Sequence, residues 1–271
     1  MIKFFYNSII ISLVIYVIII LFVYFFQRNL LYHPNVKNFS GYQIDNINFS
    51  YKEVKIINDD KIELIAWLHE KDLIKKKTLI FFHGNAGQLN NRNYKLNEFS
   101  KLDINFIILA WRGFNGNEGS PSEQGLYQDA NSVIKWIKNK GVKEENIILY
   151  GESLGTGVAI EVGQNKNFSG IILEAPYTSM VELAKKYYPF LPVRLLLKDK
   201  FESIKKIKNL KSPVLVMHGG ADQIVPFNMG KKIFDEIKTK KYGYFPKFDR
   251  HMMTYNSELK IELDKFIKTL N

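Results

Sequence analysis

Residues 147–157 read IILYGESLGTG, a run of β-formers that ends in a serine between two glycines and is followed by a helical pattern. If residues 147–150 are a buried strand and Leu154 opens a helix, the connection is very short and Ser153 sits on a tight, strained corner. Side chains at positions 151 and 155 would collide with the strand and the helix, and Gly151 and Gly155 remove them. The serine hydroxyl is then held at the carboxyl end of the strand, with the free N–H groups of the helix start behind it, where negative charge is favoured. The same five letters in an ordinary loop would mean little, so the flanking strand and helix carry the reading.

Outward from that corner, strand-like runs occur at residues 52–57, 62–69, 78–82, 105–111, 146–150, 170–174, 213–218 and 242–248. Helical patterns lie between most of them, at 122–140, 154–165, 227–239 and 257–270. The clearest is the first, with Leu126, Ala130, Val133, Ile134 and Ile137 on one face. Two strands followed by strand–helix alternation predict a mainly parallel sheet covered on both faces. In such sheets reactive groups collect beyond the carboxyl ends of the strands. A chain of 271 residues suffices for one such domain, expected over residues 51–271.

The amino terminus differs in kind. Residues 4–26 contain no charged side chain. As a helix they extend ~35 Å, enough to cross a hydrocarbon layer of about 30 Å. The run is too long for a signal-peptide core, and QRNLLYHP after it offers no small-x-small cleavage site. Residues 1–28 are therefore expected to be an uncleaved single-pass anchor, with Tyr24, Phe25, Phe26, Arg28 and Tyr32 at the interface. The charges flanking the run specify orientation weakly, and the extracytoplasmic side is favoured for the large domain. Residues 29–50 read as a linker, so a chain beginning near Lys37 is expected to keep its chemistry.

A serine hydroxyl needs a base within hydrogen-bond reach. Of the five histidines, His33 lies in the expected linker and His69 ends an early strand, while His83 and His218 precede glycine turns. His251 follows the last strand, after both the serine and a candidate acid in chain order, and is the preferred base. The acid should follow the strand at 213–218, where HGGADQIVP places Asp222. A carboxylate there can orient an imidazole and stabilise its cation, and Asp222 is the preferred acid, the alternative being that it merely forms an Asx turn or caps the next helix. Glu174 is the alternative acid, ahead of Asp235 and Asp249. An oxyanion needs two N–H donors. Leu154 supplies one from the helix start, and Asn85 in His83-Gly84-Asn85-Ala86-Gly87 is the candidate for the other, unless that stretch is simply a glycine turn.

HGNAG at 83–87, WRGFNGNEGSPSEQGLYQD at 111–129, GESLG at 151–155, GGADQIVP at 219–226 and the late His251 occur in an order that resembles the α/β-hydrolase superfamily. The resemblance is to its membrane-anchored bud-emergence-type members, related to the serine-aminopeptidase-like group. It covers about residues 27–271, and QRNLLYHP is similar to their juxtamembrane segment. It implies an α/β-hydrolase fold, a mostly parallel eight-stranded sheet with helices on both faces, after one transmembrane helix. It also implies Ser153 as nucleophile, Asp222 as acid, His251 as base and Asn85 and Leu154 as oxyanion donors, with His83, Gly84, Gly87, Gly151 and Gly155 in support. The segment at 114–117 departs from the family pattern in its glycine position, and Asp249-Arg250 stands where a small residue usually precedes the histidine.

The expected activity is cleavage of a carboxylic ester or thioester through an acyl-enzyme, on a small-molecule or acylated, lipid-type substrate. A peptidase or amidase, and a catalytically silent binding module, are the alternatives. The short cap expected at about 182–211 mixes YYPFLP at 187–192 with Arg194, Lys198, Lys200, Lys205 and Lys206. An apolar stripe rimmed by lysines suits acyl chains at an anionic bilayer, and equally an amphipathic cap packed on the core. The net charge of +11 is spread along the chain as lysine without aromatic interleaving, so nucleic acid is not an expected partner. The absence of cysteine excludes disulfides and thiolate sites. The spacing of His, Asp and Glu suggests no metal, no glycine loop suggests a dinucleotide, and no cofactor is expected. A monomer is expected.

Overall fold

The computed structural model describes residues 2–34 and 46–270. Among the described residues eight strands, β1 (Lys52–Ile57), β2 (Glu63–His69), β3 (Thr78–Phe82), β4 (Asn105–Leu109), β5 (Ile147–Glu152), β6 (Gly170–Glu174), β7 (Val214–Met217) and β8 (Lys241–Tyr244), form one sheet in the order β1-β2-β4-β3-β5-β6-β7-β8. β1 pairs antiparallel with β2, and β2 pairs antiparallel with β4. Every later pairing is parallel. The strands β3 to β7 are buried along their whole length, as continuous apolar runs in a parallel sheet require.

Alternation sorts these side chains into two cores. Ile80, Phe82, Ile147 and Leu149 join one core, whereas Leu79, Phe81, Ile148 and Tyr150 join the other. The first is covered by α3 (Glu123–Asn139), α4 (Leu154–Gly163) and α8 (Phe227–Glu236), through residues such as Leu126, Val133, Val158 and Ile233. The second is covered by α2 (Asn93–Phe99) and α9 (Ser257–Lys268), through Leu96, Phe99, Leu259 and Phe266. Ser122 caps α3 by accepting from Gly125 N–H at 3.1 Å. Asp129, fully buried on α3, accepts from Arg112 and from Asn58, and thereby ties β4's exit loop to the start of the sheet. Within that loop Asn115 adopts the positive φ (53°) that a glycine would usually supply, and Asn117 ties the loop to the sheet. Its amide donates to Ala110 O at 2.9 Å and accepts from Ile65 N–H at 3.1 Å.

The structure departs from the sequence reading at several elements. The last strand ends at Tyr244, so His251 is reached through a long loop over residues 245–256. α2 was not expected, because its NYKLNEF carries no apolar stripe. The amino-terminal helix α1 (Ile2–Leu31) runs past the expected anchor boundary at residue 28. It is long and apolar enough to cross a membrane. Of the expected linker, residues 35–45 lie outside the described residues. The cap comprises α5 (Met180–Tyr187), α6 (Val193–Leu196) and α7 (Ser203–Lys206), and its Val181, Leu191 and Val193 pack with Ile20 and Val23 of α1.

Removing Asp129 would leave the Arg112 guanidinium buried without its principal partner. Breaking a buried pair this way typically costs about 3–5 kcal/mol. Asp129→Ala is therefore expected to lower the melting temperature sharply, whereas Lys55→Ala, which loses only an exposed pair, should leave it nearly unchanged.

Candidate active site

Ser153 has φ 51° and ψ −115°, a conformation forbidden to most side chains, directly between β5 and α4. Its N–H donates to Glu174 O at 2.8 Å, and its own carbonyl accepts from Thr156 N–H at 2.9 Å. The flanking glycines are there for space. A Cβ on Gly155 would lie 1.9 Å from Phe82 O, and one on Gly151 would lie 2.6 Å from Gly155 O. The serine hydroxyl is presented beyond the strand end with the α4 start behind it, so Leu154 N–H is one of the orphan donors of that helix.

Asp222 and His251 reach the serine from β7 and β8. His251 Nε2 lies 3.0 Å from Ser153 Oγ, and His251 Nδ1 lies 2.8 Å from Asp222 Oδ2. Asp222 Oδ1 accepts from the N–H groups of Ile224 (2.8 Å) and Val225 (2.9 Å), the Asx-turn geometry that its sequence position also allows. Turn former and imidazole partner are thus one carboxylate using its two oxygens. Burial opposes ionisation of Asp222, but hydrogen bonds from His218 and His251 and the Val225 N–H outweigh it and hold the carboxyl well below its ordinary range.

Sequence reasoning missed two contributors here. His218, fully buried, points Nε2 at Asp222 Oδ2 (3.2 Å) and at Val225 O (3.0 Å). Gly219 and Gly220 let the two loops touch. A Cβ on Gly219 would lie 2.3 Å from Asp249 O, and one on Gly220 would lie 2.7 Å from Lys247 O. Ala221 N–H then donates to Asp249 O (2.9 Å) and Gly220 N–H to Pro246 O (2.8 Å), which fixes the long loop that carries His251. The Gly-Gly pair at the end of β7 was the available signal. Asp249 itself shapes the turn, accepting from Thr254 N–H at 3.0 Å, and Arg250 is exposed.

The loop after β3 lies against Ser153. A Cβ on Gly84 would lie 3.6 Å from Ser153 Cβ, and Gly87 adopts φ 75°. The loop is held from beneath by Glu152, whose Oε1 accepts from Gly84 N–H at 3.2 Å, and by Arg92, which donates to Ala86 O at 2.7 Å. Trp111 Nε1–H donates to His83 O at 3.0 Å. His83 is buried and neutral: burial first, then the Arg92 charge, pushes its pKa down to about 3. The Asn85 side chain is turned away from Ser153 and donates to Leu31 O at 2.8 Å, so only its backbone N–H can face an oxyanion.

Below the serine lies a buried ion cluster that the sequence did not reveal. Lys95 donates to Glu152 (2.5 Å) and Glu174 (2.7 Å), and Arg92 pairs with Glu152 at 2.9 Å. Burial raises the Glu152 carboxyl, but Arg92 and Lys95 outweigh it and keep it ionised far below its ordinary range. Glu174, the alternative acid, also accepts from Tyr150 and Tyr255 here and is not the partner of His251.

The end of α1 belongs to this assembly. Gln27, Arg28 and Tyr32 grip the cap, while residues 31–33 join the loop after β3. The expectation of a linker that separates the anchor from the site does not hold for residues 29–34.

The family model described as "Serine aminopeptidase, S33" matches residues 74–205. An uncharacterised protein of Mycobacterium tuberculosis is 31% identical over 232 residues, covering 84% of this chain and 82% of its own. Human alpha/beta hydrolase domain-containing protein 17B is 31% identical over 169 residues, 60% of this chain and 56% of its own. Among solved structures, a Pyrococcus furiosus esterase superposes with a TM-score of 0.70 at 20% identity, over 89% of this chain and 100% of its own.

Because the Asp222 carboxyl is depressed in the folded chain, its contribution to stability is present above the unfolded value of ~3.9 and lost as pH falls through the folded one. The gap in melting temperature between the native chain and Asp222→Asn is thus expected to narrow as pH drops below about 4. A gap that stays constant down to acid pH would remove the ionised carboxylate from the account.

Proposed function

The chain belongs to the α/β-hydrolase superfamily, and from that premise we propose that it is a membrane-anchored serine hydrolase acting on a carboxylic ester or thioester through an acyl-enzyme on Ser153. The observation that carries the reading is the relay from Ser153 Oγ to His251 Nε2 (3.0 Å) and from His251 Nδ1 to Asp222 Oδ2 (2.8 Å). His251 takes the serine proton as Oγ attacks the carbonyl carbon, and the ionised Asp222 stabilises the imidazolium. The N–H groups of Leu154 and Asn85 receive the developing oxyanion. His251 returns the proton to the leaving oxygen or sulfur, and then activates a water that releases the acid and restores Ser153.

Substrate class is argued from the surroundings. Tyr187, Tyr188, Phe190 and Leu195 of the cap are exposed, and Leu195 is 84% exposed. Tyr187 OH donates to Gln223 O at 2.6 Å, so this apolar rim adjoins the loop that bears Asp222. On the α1 side, Tyr16 OH donates to Phe190 O at 2.7 Å, and Lys198 lies 4.2 Å from the Tyr24 ring. A helix whose apolar run enters a bilayer therefore brings the cap rim to the bilayer with it. That favours an acyl or lipid-type substrate. The matching family description favours a second reading, an amino-acid amide or peptide as substrate, with the same relay and a different leaving group.

A fluorophosphonate probe is expected to label the protein, and Ser153→Ala to abolish labelling. His251→Ala should lower turnover of a short p-nitrophenyl ester by at least about 10³-fold. Persistent labelling of Ser153→Ala would sink the assignment. A panel of esters, thioesters and amino-acid amides separates the two readings by kcat/KM.

A further inference from the structure

The segment QRNLLYHP, residues 27–34, comprises the last turn of α1 and the residues that follow it, and its polar atoms are engaged on both sides. On one side it grips the cap. Gln27 Nε2 donates to Leu196 O (3.1 Å) and Gln27 Oε1 accepts from Lys198 N–H (2.7 Å). Arg28 makes a two-pronged pair with Asp199 (2.9 and 3.1 Å), and Tyr32 OH donates to the same carboxylate at 3.2 Å. On the other side it forms a short parallel bridge with the loop after β3. His33 N–H donates to Asn85 O (2.8 Å), Gly87 N–H donates to His33 O (3.0 Å), and Asn85 Nδ2 donates to Leu31 O (2.8 Å).

Those last contacts fall on the residue whose backbone N–H is assigned to the oxyanion. Both other polar groups of Asn85, its carbonyl and its side-chain amide, are taken by residues 31–33. With Gly84 pinned to Glu152 on the inner side, the peptide between Gly84 and Asn85 has little freedom to rotate. We propose that residues 31–33 are a positioning strap for the oxyanion loop, so that the end of the amino-terminal helix is a working part of the active site. The proposal rests on the serine-hydrolase reading. A displaced oxyanion donor lowers transition-state stabilisation while leaving ground-state binding intact, and a shift of about 1 Å costs up to about 10²-fold.

The test uses the full-length protein in detergent or vesicles. Asn85→Ala removes the side-chain bond to Leu31 but keeps the backbone N–H, and His33→Pro removes the N–H that binds Asn85 O. Both are expected to lower kcat on a short p-nitrophenyl ester by about 10- to 100-fold with KM within about two-fold. A trifluoromethyl ketone, which forms an oxyanion adduct with the serine, should weaken by the same factor as kcat. Amide exchange over residues 83–88 should quicken in both variants, a readout that needs no turnover. Unchanged kcat in both variants, unchanged exchange, or a loss of kcat that merely follows the melting temperature would overturn the strap. A native chain that neither labels nor turns over, with exchange still quickened in the variants, would instead fail the hydrolase reading alone.

Discussion

The close approach of Gly155 to the end of β3 is the constraint on which the site depends. With no Cβ at 155, α4 begins directly against Phe82 O, a contact that any other residue would block. Phe82 is also paired with Gly151, so the ends of β3 and β5 are side by side when their loops diverge. The loop after β3 therefore starts within reach of Ser153, and Ser153, Leu154 and the loop that carries Asn85 are neighbours by construction. The strained serine backbone, a cost of order 1–3 kcal/mol, is held by its bonds to Glu174 O and Thr156 N–H.

Beneath that corner the chain buries charge where an apolar core would be cheaper. Arg92 and Lys95 balance Glu152 and Glu174, and the hydroxyls of Tyr150 and Tyr255 complete the set. Desolvation makes such clusters weak sources of stability. Their contribution here is directional. Glu152 precedes the serine on β5 and accepts from Gly84, while Arg92 grips Ala86 and Tyr255 reaches in from the loop that carries His251. One network thus references Ser153, the loop after β3 and the loop that carries His251 to each other.

What the sequence made legible is what local rules govern. The doubly covered parallel sheet follows from unbroken apolar runs, and the serine corner from glycines placed where side chains would clash at 1.9 and 2.6 Å. The grouping of Ser153, His251 and Asp222 followed from chain order and from loops at strand ends. The end of β8 was misjudged because Phe245 and Phe248 look like strand residues, and α2 was missed because its buried face includes Asn93, Lys95 and Asn97. A helix that buries a lysine against two carboxylates gives no periodic signal, since its partners lie on β5 and β6.

The same reasoning explains why the sequence shows the anchor ending at residue 28 and a linker from residue 29 on, with no sign that residues 27–34 are engaged elsewhere. Periodicity and turn chemistry register partners a few residues away, whereas Gln27, Arg28 and Tyr32 bond residues some 170 positions later, and His33 bonds Asn85. A short polar stretch after an apolar run satisfies the local criteria for a connector whether its donors face water or another loop. What distinguishes the two is burial. Gln27 and Tyr32 are 6% and 4% exposed, and an amide and a phenol that far from water must be hydrogen-bonded within the protein. Their partners are Asp199 and the cap backbone. The helix end is therefore fixed to the domain at two places, the cap and the loop after β3.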